Sequence, residues 1–183
     1  NGMANVIGVR SGTVRTTALQ LDVNDPANDI ARIAVVERHK ATGRIGLGYV
    51  SGYGMKRGAI ASTVAHDAHN IMVVGSRDAG GPADMSVAIA RVAEIGGGQV
   101  VVVDGKVVAE VALPVCGLIS DQPLETVAAQ LDRVVEVAHS IGITLDAPFM
   151  SLSFLGLSVI PDLRITDLGL IDVNLFAQIP VAL

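Results

Sequence analysis

Asp104-Gly105 stands between two runs of β-forming residues, Val100 to Val103 and Lys106 to Val111. A two-residue type I′ turn needs positive φ at both central positions, and Asp-Gly adopts them at little steric cost. The middle of the chain is therefore committed to an antiparallel hairpin. The segments around it read in the same spirit. Val14 to Leu21 mixes Val, Thr and Leu with polar residues, as a strand does. A turn cluster at 24–29 precedes the apolar run Ile33 to Val36, which ends in Glu37-Arg38. A turn at 40–43 leads to Ile45 to Val50, and the two runs form an expected antiparallel pair. Ala59 to Val64 and Ile71 to Val74 are further apolar runs, the second followed by a loop over 75–82.

Two helices complete the pattern. Pro82 suits a first helical turn, Met85, Ala88, Ile89, Val92 and Ile95 fall near one face, and Gly96-Gly97-Gly98 ends the segment. From about Pro123 to Ile141 the apolar face runs through Leu124, Val127, Leu131, Val134 and Ala138. Asp121 is the expected N-cap and Gly142 the stop. The tail from Ala147 to Val159 is apolar with interleaved Ser and Gly, Pro161 interrupts it, and 166–169 reads as a turn. This order predicts an α+β fold: a mixed, largely antiparallel sheet packed with two main helices, as one domain over 1–183. Strand and helix do not alternate as in a TIM barrel, and 183 residues are too few for one of usual size.

Composition narrows the function. Half of the residues are hydrophobic but only 3% are aromatic, so the core is built from Val, Ile, Leu and Ala, and stacking platforms for nucleic acid are scarce. The net charge of −5 with no Lys/Arg cluster counts against a phosphate-backbone footprint. No apolar stretch approaches ~18 residues, so no membrane span is expected. The single cysteine, Cys116, excludes an internal disulfide framework and is expected to be a buried thiol in a reducing, cytoplasmic setting.

The densest polar constellation is Ala65-His66-Asp67-Ala68-His69-Asn70, between two apolar runs and so at strand ends. Two imidazoles, a carboxylate and a carboxamide can orient a polar ligand, move protons or bind a metal. The alternative is that they cap a loop and satisfy strand-end backbone groups. In a continuous strand His66 and His69 would face opposite ways, and no third or fourth ligand is evident, so no self-sufficient metal site is expected. Gly52-Tyr53-Gly54 with Lys56 and Arg57 could cradle an anion, although glycines are also what tight turns require. Glu37-Arg38-His39 reads as a solvated strand tip. The segment 148–154 lines an apolar pocket or lies in the core, and His139 suits the C-terminal end of its helix.

Several strings carry a more specific signal. Ile33-Ala34-Val35-Val36-Glu37-Arg38-His39, Gly46-Leu47-Gly48-Tyr49-Val50, Lys56 to Ser62, Val64 to Asn70, Gly96-Gly97-Gly98, Ser120-Asp121 and Pro148 to Leu155 resemble, in order and over nearly the whole chain, the C-terminal region of microbial adenine deaminases. The resemblance implies an amidohydrolase-superfamily enzyme that hydrolyses adenine to hypoxanthine and ammonia in purine salvage. It implies a metal centre, manganese or iron, in an N-terminal barrel whose first-strand ligands form a His-x-His pair. This chain has no His-x-His; its closest pair is His66-x-x-His69. The expectation is a domain that binds no cofactor itself, is silent alone, and has that barrel, adenine and further copies of the enzyme as partners. His66, Asp67, His69 and Asn70 are its candidates for the substrate pocket, with Lys56 and Arg57 secondary. The competing expectations are a purely structural or oligomerisation domain, a stand-alone ligand- or metal-binding regulatory module, and an independent histidine-centred hydrolase.

Overall fold

The computed structural model describes residues 2–78 and 80–183. Ala79, inside the loop expected over 75–82, lies outside them. The chain runs β1 (Met3–Gly8), β2 (Thr17–Asp22), β3 (Ile30–Val36), β4 (Ile45–Ser51), β5 (Ala59–Ser62), β6 (Ile71–Ser76), α1 (Gly81–Glu94), β7 (Gly98–Val103), β8 (Lys106–Ala112), α2 (Leu124–Ser140), α3 (Pro148–Phe154), β9 (Leu163–Thr166), β10 (Gly169–Asp172) and β11 (Ala177–Gln178). Eight strands form one sheet in the order β2-β1-β4-β3-β6-β5-β7-β8, and β11-β10-β9 form a second, small one. In the large sheet only β1 and β4 pair in parallel; every other neighbouring pair is antiparallel. The α+β expectation, with a mixed and largely antiparallel sheet, is met.

Strand alternation sorts side chains into two layers. In β6, Ile71 and Val73 join Met85, Ala88 and Val92 of α1 on one face. Met72 and Val74 join Val134 of α2 and Phe149 and Leu152 of α3 on the other. β6 is buried on both faces, which is why it reads as an unbroken apolar run rather than an alternating one. Burying each such aliphatic side chain stabilises the fold by roughly 1.5–3 kcal/mol.

The hairpin forms as its sequence demands. Asp104 and Gly105 have φ of 52° and 72°. Asp84, in the first turn of α1, accepts hydrogen bonds from the Gly105 amide at 2.7 Å and the Asp104 amide at 3.2 Å, so the hairpin tip is tied to the helix. In β4 the alternation Ile45-Gly46-Leu47-Gly48-Tyr49 separates two faces. A Cβ on Gly46 would collide with the Thr166 carbonyl, and one on Gly48 would lie 3.1 Å from Ile165. The small sheet can therefore sit close against this face. Ile45 and Leu47 point the other way and are 54% and 63% exposed.

Several expectations need correction. β1, α3 and the small sheet were not foreseen. Asp121 does not cap α2: the helix starts at Leu124 after Pro123 without a side-chain cap, and Asp121 instead accepts from the Gln122 side chain at 2.9 Å. The expected apolar face of α2 is buried only in its second half; Leu124 and Leu131 are exposed. Cys116 is exposed, because it occupies a tight turn at φ 59°.

Candidate functional site

All the loops of the site lie at one end of the large sheet. There β3 and β5 end while β4 and β6 begin: Val36 pairs with both Ile45 and Ile71, and Ser62 pairs with Met72. The segment 65–70 closes on itself at this end. The His69 amide donates to the Ala65 carbonyl at 2.7 Å, and the Ala65 amide donates back to His69 Nδ1 at 3.2 Å. Because Nδ1 accepts, the ring proton of neutral His69 sits on Nε2. Burial, followed by the nearby His66 and Arg38, pushes the His69 pKa down, with Asp67 and a hydrogen bond from the His69 ring to the Thr63 backbone opposing. Its imidazole is thus held neutral near pH 7. His69 takes φ 50°, and the loop is anchored below by His66 N donating to Ser153 O at 3.0 Å.

The closed loop divides its four polar residues. His66, Asp67 and Asn70 line a cavity of about 250 Å³, whereas the His69 side chain turns back into the loop. The far wall comes from 156–159 and from Thr166 and Asp167 at the β9–β10 turn. Asn70, 5% exposed, donates from Nδ2 to Asp167 Oδ1 at 3.3 Å. Arg44 donates from Nε to the other oxygen of Asp167 at 2.7 Å. Among the described residues Asn70 Oδ1 has no hydrogen-bond partner although it is buried, a state that costs on the order of 1–3 kcal/mol. The His66 ring packs on Phe154 with centroids 4.9 Å apart. Asp67 and Val159 are exposed at the rim.

A second tier holds the loop from outside, and here the reading of 37–39 as a solvated tip is overturned. Glu37 is 9% exposed. It accepts from the amides of His39, Lys40 and Thr42 and from the Thr42 hydroxyl, and folds the following turn around itself. The Thr42 amide above all, with the Thr42 hydroxyl and the Lys40 and His39 amides, lowers its pKa to about 2 against the opposing effect of burial. From this turn Arg38 donates to the His69 carbonyl from Nε and to the Cys116 carbonyl from Nη2, both at 2.6 Å. His39 Nε2 meets the Ala68 carbonyl at 2.7 Å, so this nitrogen carries a proton. Arg164 does the same for the far wall. It is fully buried and donates to the carbonyls of Ile160, Phe154, Val14 and Pro161 at 2.6, 3.3, 2.7 and 3.2 Å. Burial lowers its pKa to about 10, with Asp162 opposing, which leaves it cationic at neutral pH.

Lys56 and Arg57 do not reach this cavity. Lys56 lines a cleft with Asp29, Arg77 and Asp78, while Arg57 lies with Arg133 and Glu136. The Gly52 and Gly54 amides, which would cradle an anion, both donate to Asp29 Oδ2, at 3.0 and 2.8 Å. A carboxylate of the chain already fills that place. Sequence reasoning missed Asp167, Arg44 and Arg164. Of the three only Arg164 leaves a trace, as a lone cation inside the apolar strand Leu163–Thr166.

Among the described residues no three His, Cys, Asp or Glu side chains gather in a group able to hold a metal ion, and no helix is long and apolar enough to cross a membrane. Fold and site together define an α+β domain whose polar groups, drawn from segments nearly a hundred residues apart, meet in one small cavity at the end of its large sheet. The family model described as "Adenine deaminase C-terminal domain" matches residues 9–177. The chain belongs to this family. It is 51% identical to an adenine deaminase of Desulfatibacillum aliphaticivorans over 96% of its own length, and 47% identical to those of Oleidesulfovibrio alaskensis and Brucella anthropi over 99% and 97%. In each case it spans 32% of the relative's length.

Proposed function

We propose that this domain serves an enzyme that hydrolyses adenine to hypoxanthine and ammonia in purine salvage. In this reading the loop 65–70 closes and orients the purine pocket of the amidohydrolase barrel that makes up the rest of the enzyme. The observation that carries the reading is the convergence of His66, Asp67, Asn70 and Asp167 on one cavity of about 250 Å³, large enough for a purine base. The carboxylate of Asp67 faces outward at the rim and accepts hydrogen bonds from a purine N–H edge. The imidazole of His66, steadied on Phe154, assists proton traffic. His69 serves by shaping the loop. Lys56 and Arg57 have no part in it. In this reading the manganese or iron of the reaction belongs to the barrel. A homo-oligomer in the cytoplasm, where Cys116 stays reduced, completes the reading.

Two experiments test it. The purified 183-residue chain, supplied with divalent manganese or iron, should not deaminate adenine; robust metal-dependent turnover would make the loop a complete active site and overturn the division of labour. In the full-length enzyme, His66→Ala and Asp67→Ala should each lower kcat/KM by about tenfold or more. Unchanged kcat and KM in both would sink the pocket role and leave a structural or assembly domain, the reading that the exposed Leu124 and Leu131 of α2 favour.

A further inference from the structure

The α1-side face of β4 is the exposed apolar surface that the fold itself does not explain. Ile45 and Leu47 stand beside Val36 of β3, and with Ile89 and Met85 of α1 they line a groove of about 420 Å³. Single exposed aliphatics are ordinary; a contiguous apolar groove is not. The opposite face of the strand is glycine because the small sheet presses on it. Ile45 and Leu47 therefore lie on the side of the strand that no element among the described residues covers.

Topology indicates what covers it. β1 runs parallel to β4, with Ile7 opposite Val50, so Met3 lies at the end of the sheet where β4 begins. That is also the end that carries the loop 65–70. The C-terminal tail lies against the same point: Asn5 N donates to Val181 O at 2.8 Å, Leu183 N donates to Met3 O at 3.2 Å, and Val181 itself lines the groove. In relatives about three times as long, of which this family forms the C-terminal domain, the preceding polypeptide reaches the domain through β1. It arrives beside the groove. At the other side of the groove Ile45 follows Arg44, whose guanidinium holds Asp167 on the cavity wall. One body seated at this end of the sheet would meet both the polar cavity and the apolar groove.

We infer that the groove formed by Ile45, Leu47 and Val36 with Ile89 is where the preceding part of the same polypeptide packs. The inference shares with the proposed function the premise that the rest of the enzyme sits at this end of the sheet, but its test does not depend on turnover. A photoreactive benzophenone amino acid is placed at Leu47 in the full-length enzyme. The expected result is an intramolecular cross-link to a peptide from the preceding part, identified by mass spectrometry. A cross-linked dimer on a denaturing gel would assign the groove to a second copy and overturn the inference; no cross-link would leave it bare and overturn it equally. If the bulky group disturbs folding, Leu47→Cys probed by maleimide labelling at dilutions where the enzyme is monomeric tests the same point. The introduced thiol should react at least tenfold more slowly than Cys116, and equal rates would overturn the inference. An intramolecular cross-link alongside His66→Ala and Asp67→Ala enzymes of normal kinetics would remove the pocket role and leave this interface standing. The reverse pair of results would do the opposite.

Discussion

The segments 65–70 and 52–57 look alike as sequence: each is short, polar or glycine-rich, and set between apolar runs. In the folded domain they differ. Around 65–70, side chains from 37–39, Arg44, Arg164 and Asp167 arrive from distant parts of the chain, and several of their hydrogen bonds shape the loop and its facing wall. Around 52–57 the backbone amides are consumed by Asp29, and the two cations diverge into separate clefts. Local richness in polar residues does not distinguish a site from a turn. Convergence of remote groups on one cavity does, since each buried polar group there costs free energy that its partners must largely offset.

The contrast can be tested most severely at Arg164. Arg164→Met strands four carbonyls, and since a buried acceptor left unpaired costs about 1–3 kcal/mol, the domain should lose about 3–5 kcal/mol, read from urea unfolding of the chain; a loss under about 1 kcal/mol would show that water replaces the guanidinium and that the far wall does not depend on it. Glu37 gives a smaller, pH-dependent effect. Its folded pKa of about 2 lies below the ordinary 4.5, so its stabilisation is present in full above pH 4.5 and is lost as pH falls through 2. Glu37→Gln should lower the thermal midpoint at pH 7, and the gap from the parent chain should narrow between pH 4.5 and 2. A gap that does not change with pH would mean that the carboxylate charge is irrelevant to the turn. The smallest effect belongs to the other region: Lys56→Ala with Arg57→Ala should leave stability within about 0.5 kcal/mol and leave adenine turnover by the full-length enzyme unchanged. A marked rise in KM would restore these cations to the site.

The parts of the fold legible in the sequence are those that local physics decides. Asp104-Gly105 dictates its turn, the periodicity of 85–95 gives α1, and the paired apolar runs give β3 and β4. What was not legible depends on partners far away. β1 is short, and it is a central strand only because β2 and β4 flank it. β9 to β11 are strands of two to four residues that exist because Gly46 and Gly48 leave room for them. The same holds at the site. His66, Asp67, His69 and Asn70 could be named from their density alone. That His69 faces inward while Asp167 takes its place in the cavity follows from a closure between residues 65 and 69 and a contact spanning 97 positions. Glu37 was misjudged for a related reason: a charged strand end looks solvated unless the turn after it is known to wrap the carboxylate in amides.

A Cβ at Gly46 would run first into the Thr166 carbonyl and the Gly169 amide, so this glycine sets the distance between β4 and the turn that carries Asp167. Any larger residue there would lift that turn and carry the acid away from Asn70. A genetic screen for inactive variants should therefore return this strand glycine alongside the polar residues of the cavity. Read from a list of mutations alone, it would pass for a ligand contact, although its whole effect is to govern how wide the cavity opens.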